Sequence, residues 1–329
     1  MAPDAEAGKS SIKRADPFAP LTSELLPVGD GHEVYVESVG RAGGIPAVYL
    51  HGGPGSGCQA DHRRLFDPER FHAVLFDQRG AGRSHPKGRR EDNTVAHLIA
   101  DMEMIREKFG FERWIVVGGS WGATLALAYA QAHPDRVSAI VLRATFLGTR
   151  EELEGAFLDA LARFYPDLSN DFLNVLPVAE RAQPLDAYWR RILDTDPAVH
   201  GPAARAWADT ERILSEHVSS RVRLDMASLN STRALPATPF MEAHYFANDC
   251  FMKPNQLLNE AGKLTGIPGI IVQGRYDLLC PPTTSHALGA VWRDAEIRFV
   301  EGAGHTLYDP GVRDAVMKAV ADVASKVDK

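Results

Sequence analysis

The segment Gly118-Gly119-Ser120-Trp121-Gly122 constrains this chain most, because glycines there join an apolar strand to a helix. The apolar run 114–117 precedes the segment, and helix-favouring residues follow over 123–133. A serine on a sharp turn between a strand and a helix presents its hydroxyl, and β-carbons beside it would collide with the neighbouring elements. The pattern therefore predicts Ser120 as a nucleophile, and the alternative is an ordinary glycine-rich turn.

Strands and helices alternate along most of the chain, which predicts a mostly parallel sheet flanked by helices. The predicted strands are residues 32–39, 47–50, 71–76, 114–117, 137–142, 269–272 and 297–300, and the predicted helices are 94–109, 123–133, 283–291 and a last one after Pro310. From about 150 to 264 the strand pattern stops and helical spacing takes over. We therefore predict an α/β core over 21–149 and 265–329, a helical cap over 150–264, and a poorly ordered tail over 1–20.

Composition narrows the function classes. The chain has 329 residues, 45% hydrophobic and 24% charged, as in soluble globular proteins. A net charge of −7 argues against nucleic-acid binding, and no apolar stretch approaches the ~18 residues of a membrane span. The three cysteines, Cys58, Cys250 and Cys280, cannot all pair and form no CxxC motif, which favours a cytoplasmic location.

Motifs for bound cofactors are also missing from the sequence. No H-E-x-x-H motif or Cys/His cluster suggests a metal, and no G-x-G-x-x-G follows the first strand. We therefore expect neither a metal nor an organic cofactor. The oligomeric state is left open.

A nucleophilic serine needs a base to take its proton, and the base needs an acid to orient it. In α/β-hydrolases these residues follow in the order Ser, Asp or Glu, then His. Asp277 follows the predicted strand at 269–272, and His305 follows the one at 297–300. Their order and their positions after strands predict a triad of Ser120, Asp277 and His305.

Acyl transfer passes through an oxyanion that needs hydrogen-bond donors aimed at it, each worth about 3–4 kcal/mol of barrier. The backbone N–H of Trp121, directly after the nucleophile, is one candidate. The other is Gly53, in the glycine-rich loop that follows the strand at 47–50. His51, in the same loop, is interpreted as structural.

Several motifs together resemble the proline iminopeptidases, serine peptidases of the α/β-hydrolase fold that remove an N-terminal proline. The matching segments are HGGPG at 51–55, DHRRLFDP at 61–68, DQRGAGRS at 77–84, GGSWG at 118–122, GRYD at 274–277 with Cys280-Pro281, and GAGH at 302–305. They span nearly all of the chain from about residue 45. The resemblance implies a small peptide with a free N-terminus as the substrate.

That family holds the substrate amine with two carboxylates of its cap. The segment MEAHYF at 241–246 resembles one of the two sites and implies Glu242, with Tyr245 beside it as a substrate-binding residue. The segment AWADTE at 206–211 resembles the other and implies Glu211. Two carboxylates in one pocket repel each other unless a cation joins them, and a protonated N-terminus is such a cation. By residue type alone, solvated glutamates are the alternative.

The chain departs from the family in the region that lines the proline pocket. Thr210 stands where a second tryptophan is usual, and Gly155, Ala156 and Phe157 stand at an aromatic cluster, while Phe146 matches an aromatic position. Fewer rings predict a wider pocket, because aromatic side chains supply much of its contact surface. A broader aminopeptidase, or an esterase or amidase for small substrates, therefore remains open. A non-catalytic binding protein is the third alternative, and the complete apparent triad argues against it.

Overall fold

A computed structural model describes residues 16–327, and eight of its strands form one sheet in the order β1-β2-β4-β3-β5-β6-β7-β8. The strands are β1 Thr22–Gly29, β2 His32–Gly40, β3 Ile45–Leu50, β4 Phe71–Phe76, β5 Trp114–Ser120, β6 Val137–Thr145, β7 Gly269–Gly274 and β8 Ala295–Val300. Strand β2 runs antiparallel to both of its neighbours, and every pair from β4 to β8 is parallel. The predicted mostly parallel sheet is confirmed.

Four helices flank the sheet: α1 Val95–Lys108, α2 Trp121–Ala132, α10 Pro282–Val291 and α11 Val312–Val327. Helix α11 packs on one face of the sheet and belongs to one apolar cluster. Helices α1, α2 and α10 belong to a second apolar cluster. Helix α2 is buried along nearly its whole length because its residues are apolar on every side. Strand β5 and helix α2 therefore place Ser120 at the centre of the molecule.

The chain between β6 and β7 is helical. Its helices are α3 Arg150–Glu154, α4 Leu161–Phe164, α5 Pro166–Asn174, α6 Pro184–Ile192, α7 Pro197–Ser215, α8 Thr238–Phe246 and α9 Gln256–Asn259. A π-helical turn, Gly155–Ala160, joins α3 to α4, and short 3-10 turns lie at Val178–Glu180, Ser228–Asn230, Asp249–Phe251 and Ala261–Leu264. We call this segment the insertion.

Strand β1 is the one strand that the sequence pattern did not predict. It lies at the edge of the sheet, most of its residues are exposed, and Pro27 interrupts it. An exposed edge strand lacks the alternation of apolar and polar residues on which the other predictions rest. Residues 1–15 of the expected tail lie outside the described residues.

Candidate active site

The turn at Ser120 has the strained geometry that its flanking glycines predict. Ser120 ends β5 with φ 56° and ψ −124°, a conformation that side chains with a β-carbon rarely adopt. A β-carbon on Gly118 would lie 2.2 Å from the carbonyl oxygen of Gly122, and one on Gly122 would lie 2.1 Å from that of Leu50. Both glycines are therefore required for strand and helix to meet at this angle.

Asp277 and His305 face each other across the loops that follow β7 and β8. The Nδ1 atom of His305 lies 2.9 Å from Oδ2 and 3.1 Å from Oδ1 of the buried carboxylate. The Oδ1 atom also accepts the backbone N–H groups of Leu279, at 3.0 Å, and Cys280, at 2.8 Å. A carboxylate at Nδ1 places the ring proton there and leaves Nε2 free to accept a proton.

The Ser120 hydroxyl opens onto a cavity. Among residues 16–327 it makes no hydrogen bond, either to His305 or to any other group. Catalytic hydrogen bonds are often long before a substrate binds. The structure thus brings Asp277 and His305 into direct contact and leaves the Ser120 hydroxyl available to a ligand.

The cavity beside Ser120 is small, about 30 Å³. Its lining residues are Gly53, Ser120, Phe146, Leu153, Ala156, Phe157, Glu211, Phe246, Leu279 and Cys280. The rings of Phe157 and Phe246 and the side chain of Leu279 form part of its apolar wall, and Ala156 contributes only a methyl group.

The two expected oxyanion donors are placed in different ways relative to Ser120: one lines the cavity and the other adjoins Ser120 in the chain. Gly53 lines the cavity, and the backbone of Trp121 begins α2 directly after Ser120. The Trp121 indole donates to Oε1 of Gln78 at 2.8 Å, and the Gln78 amide donates to the carbonyl of His51 at 3.0 Å. Gln78 therefore connects the turn at Ser120 to the loop that contains Gly53. It belongs to the motif DQRG, but sequence analysis did not single it out.

His51 is the first residue of this loop and is fully buried. Its Nδ1 faces the carbonyl of Gly52 at 2.9 Å, and its Nε2 accepts the backbone N–H of Gln78 at 3.0 Å. Burial lowers the pKa of His51 and keeps the ring neutral. These contacts agree with its interpretation as a structural residue.

Glu211 and Glu242 meet although they come from different helices, α7 and α8. Glu211 lines the cavity, whereas Glu242 is fully buried and accepts the Trp207 indole N–H on Oε2 at 2.7 Å. The two carboxyl groups are close enough to affect each other's pKa, and Oε1 of Glu242 has no hydrogen-bond partner among the described residues. Sequence analysis did not single out Trp207, which supports this pair.

The two glutamates have an unusual electrostatic environment. Burial raises the pKa of Glu211, and burial followed by the Glu211 charge raises the pKa of Glu242 well above its usual range. Two neighbouring buried carboxyl groups with raised pKa values resist being charged together unless a cation joins them. The site is therefore prepared to accept a positively charged group.

Phe146 and Tyr245 occupy different positions relative to the cavity. The Phe146 ring is part of its wall and meets the edge of Phe246, with ring centroids 5.9 Å apart. Tyr245 lies behind the wall: its ring packs on Trp121 at 4.6 Å, and its hydroxyl donates to Asn93. Asn93 is a further residue that sequence patterns did not reveal.

The described residues contain neither a cluster of metal ligands nor a helix that could span a membrane. No cluster of three His, Cys, Asp or Glu side chains within residues 16–327 is arranged to hold a metal ion. None of the helices in that range combines the length and the apolar character that crossing a bilayer requires.

Comparisons with known proteins agree with this geometry. A family model described as alpha/beta hydrolase fold matches residues 46–312. The proline iminopeptidase of Xylella fastidiosa (strain 9a5c) is 41% identical over 91% of this chain and 96% of its own. That of Neisseria gonorrhoeae is 41% identical over 94% and 98%. The crystal structure of a Mycobacterium smegmatis proline iminopeptidase shares the fold, with a TM-score of 0.62, 18% identity and coverage of 93% of this chain and 99% of its own.

Proposed function

Since the chain belongs to the proline iminopeptidase family of α/β-hydrolases, we propose that it is a serine aminopeptidase that releases an N-terminal residue, with proline preferred, from small peptides. One observation supports this proposal most: Glu211 and Ser120 line the same small cavity, and Glu242 lies beside Glu211. In an N-terminal residue, the free amine and the carbonyl carbon are close together. The amine can therefore reach the two glutamates while the carbonyl carbon reaches Ser120.

Acylation begins when the Ser120 oxygen attacks the carbonyl carbon of the N-terminal residue. His305 takes the hydroxyl proton on Nε2, and Asp277 orients the ring and stabilises the imidazolium. The oxyanion accepts hydrogen bonds from the backbone N–H groups of Gly53 and Trp121. When the C–N bond breaks, His305 returns the proton to the leaving amine, and the shortened peptide departs.

Deacylation repeats these steps with water. His305 takes a proton from the water as its oxygen attacks the ester carbonyl, and the same two N–H groups hold the second oxyanion. The proton then returns to the Ser120 oxygen as the acyl bond breaks. The free amino acid leaves and the enzyme is restored.

The carboxyl pair selects a substrate with a free, protonated amine. An ammonium group between Glu211 and Glu242 replaces the proton that they share, so that both carboxyl groups become charged and paired. An N-blocked substrate cannot replace that proton and would bury an unpaired polar group instead. The apolar rings of Phe146, Phe157 and Phe246 contact the side chain of the residue to be released.

Initial rates on four substrates test the proposal: prolyl, alanyl and N-acetyl-prolyl p-nitroanilides, with p-nitrophenyl acetate as an ester control. We expect the highest kcat/KM on free prolyl substrate and very little turnover of the N-acetylated one. Comparable rates on alanyl substrate would indicate a broader aminopeptidase. Ester turnover without any preference for a free amine would indicate an esterase or amidase and contradict the role of the carboxyl pair.

A further inference from the structure

Arg143 lies beside the turn at Ser120, and none of the proposed reaction steps involves its side chain. It belongs to β6 and is paired in the sheet with Gly119, the residue before Ser120. A β-carbon on Gly119 would lie 2.6 Å from one terminal nitrogen of the guanidinium and 2.7 Å from Nε. The guanidinium therefore packs directly against the backbone of the turn, in space that only a glycine leaves open.

The same guanidinium reaches the loop that carries the catalytic histidine. It donates a hydrogen bond to the backbone carbonyl of His305. On the other side of that residue, the His305 N–H donates to the carbonyl of Ser215, at the end of α7, at 3.1 Å. Arg143 from the sheet and Ser215 from the insertion thus hold the two peptide groups of one residue.

Arg143 differs from other arginines near the site in having no acidic partner. Arg79 pairs with Asp101 at 2.8 Å and Arg83 pairs with Asp77 at 2.8 Å. Within residues 16–327, no carboxylate lies at ion-pairing distance from Arg143, whose side chain is only partly exposed. Arg143 is therefore not held by an ion pair, and its contacts are with the backbone of Gly119 and the carbonyl of His305.

The positive charge also acts at the cavity wall. Burial, followed by the charge of Asp277, raises the pKa of the Cys280 thiol, and the Arg143 charge opposes this rise. Cys280 lines the same cavity as Ser120. The guanidinium thus acts electrostatically at the cavity where the proposed oxyanion forms, as well as through its hydrogen bond.

We propose that Arg143 is a positioning residue of the reaction, which holds the His305 backbone so that the imidazole faces Asp277 and Ser120 together. Gly119 leaves the space that this contact requires. The proposal rests on the proposed triad mechanism but not on the amine-binding pair, because it concerns only the position of the base. A displacement of about 1 Å of a catalytic group can lower a rate by about 10²-fold.

The test compares Arg143→Met and Arg143→Lys with the wild-type protein on prolyl p-nitroanilide and on p-nitrophenyl acetate. We expect Arg143→Met to lower kcat by about 10²-fold on both substrates while KM changes less than about threefold. Arg143→Lys, which keeps the charge and one donor, should recover part of the loss. The matched control is Arg113→Met, because Arg113 also donates to a backbone carbonyl, that of Val137, at the far end of β6.

Chemical rescue separates positioning from a loss of folded protein. Guanidinium ions at millimolar concentration should restore part of kcat in Arg143→Ala and leave Arg113→Ala unchanged. Gly119→Ala should lower kcat. In the double variant with Arg143→Ala, the combined loss of kcat should be far from the sum of the two single losses, since both substitutions disturb the contact between Gly119 and Arg143. Melting temperatures measured alongside give the folded fraction of each variant.

Three results would overturn the proposal. The first is an unchanged kcat in folded Arg143→Met, and the second is an effect on KM alone. The third is a loss of kcat that equals the unfolded fraction of the variant and is not restored by guanidinium ions. A wild-type protein that hydrolyses the ester but shows no preference for a free amine would contradict the amine-binding site and leave Arg143 testable on the ester. A wild-type protein inactive on both substrates would contradict the proposed function itself and the role of Arg143 with it.

Discussion

The Tyr245 hydroxyl donates a hydrogen bond to Oδ1 of Asn93 at 2.7 Å, and this bond joins helix α8 of the insertion to the core. His244, on the same helix, faces the backbone carbonyl of Asn93 with Nε2 at 2.8 Å. The Tyr245 ring also packs on Trp121, whose backbone N–H is a proposed oxyanion donor. One core residue thus supports the helix that carries Glu242 as well as the ring beside the nucleophile.

Tyr245→Phe is therefore expected to lower the free energy of unfolding by about 1–3 kcal/mol, because it leaves a buried acceptor of Asn93 without a donor. Urea unfolding followed by tryptophan fluorescence measures this change. Tyr276→Phe is the matched control, since Tyr276 is 54% exposed, and it should stay within about 0.5 kcal/mol of the wild type. Equal stability of the two variants would show that the bond to Asn93 contributes nothing.

Ser120 has a strained backbone and is the proposed nucleophile, and two substitutions distinguish these properties although both should be inactive. Both Ser120→Ala and Ser120→Gly should lower kcat by about 10⁵-fold or more, since each removes the nucleophile. Only glycine relieves the positive φ of 56°, a strain of about 1–3 kcal/mol. We expect Ser120→Gly to unfold at a higher urea concentration than Ser120→Ala, and the reverse order would argue that the turn is unstrained.

Glu242→Gln keeps the size of the side chain and an acceptor for Trp207 but removes the charge that an ammonium group requires. We expect kcat/KM on prolyl p-nitroanilide to fall by about 10²-fold, in the range of a lost charge-assisted contact. Hydrolysis of p-nitrophenyl acetate, which has no amine, should change less than about threefold. The control is Glu154→Gln, a half-buried glutamate of the insertion that is paired with Arg150 and does not line the cavity, and it should affect neither substrate. Parallel losses on both substrates would contradict an amine-binding role.

The raised pKa values of Glu211 and Glu242 predict how stability depends on pH. In the unfolded chain a glutamate loses its proton near pH 4.3, whereas the folded pair retains a proton to higher pH. Above pH 4.3 the folded state therefore binds more protons than the unfolded state. The stabilisation that the raised pKa values provide is largest at low pH and is lost as pH rises through the folded pKa. Urea unfolding at pH 5 and pH 8 should show a smaller decline for Glu242→Gln than for wild type. An identical decline would mean that the pair is fully ionised when empty.

The same proton predicts a pH effect on substrate binding. Because the ammonium group replaces the shared proton, KM for prolyl substrate should fall as pH rises, until the substrate amine itself deprotonates at about pH 8 or above. Calorimetric titration of Ser120→Ala with a prolyl peptide, in two buffers of different ionisation enthalpy, should show proton release. Proton uptake, or no proton exchange, would contradict a shared proton in the empty site.

Local patterns were sufficient for much of the sheet and for the placement of Ser120, Asp277 and His305. Strand β4 spans the predicted residues 71–76, because a buried strand between turns has an unambiguous apolar run. Strands β5 and β6 extend further, to Ser120 and Thr145, since glycine and polar residues at their ends carry no apolar pattern. The pocket width that the missing rings predict stays a prediction, and residues distant in sequence, Phe246 and Leu279, also contribute to the wall.

The sequence by itself determined the strand-turn-helix at Ser120 and the order of acid and base, because glycine requirements and apolar periodicity act over a few neighbouring residues. The tertiary structure alone decided that Trp207 supports Glu242, that Asn93 supports Tyr245, and that Arg143 holds His305. Each of these contacts joins residues that are distant in sequence: the first lies within the insertion, the second joins the insertion to the core, and the third lies within the core. Local periodicity does not encode such contacts, since they depend on how the elements pack.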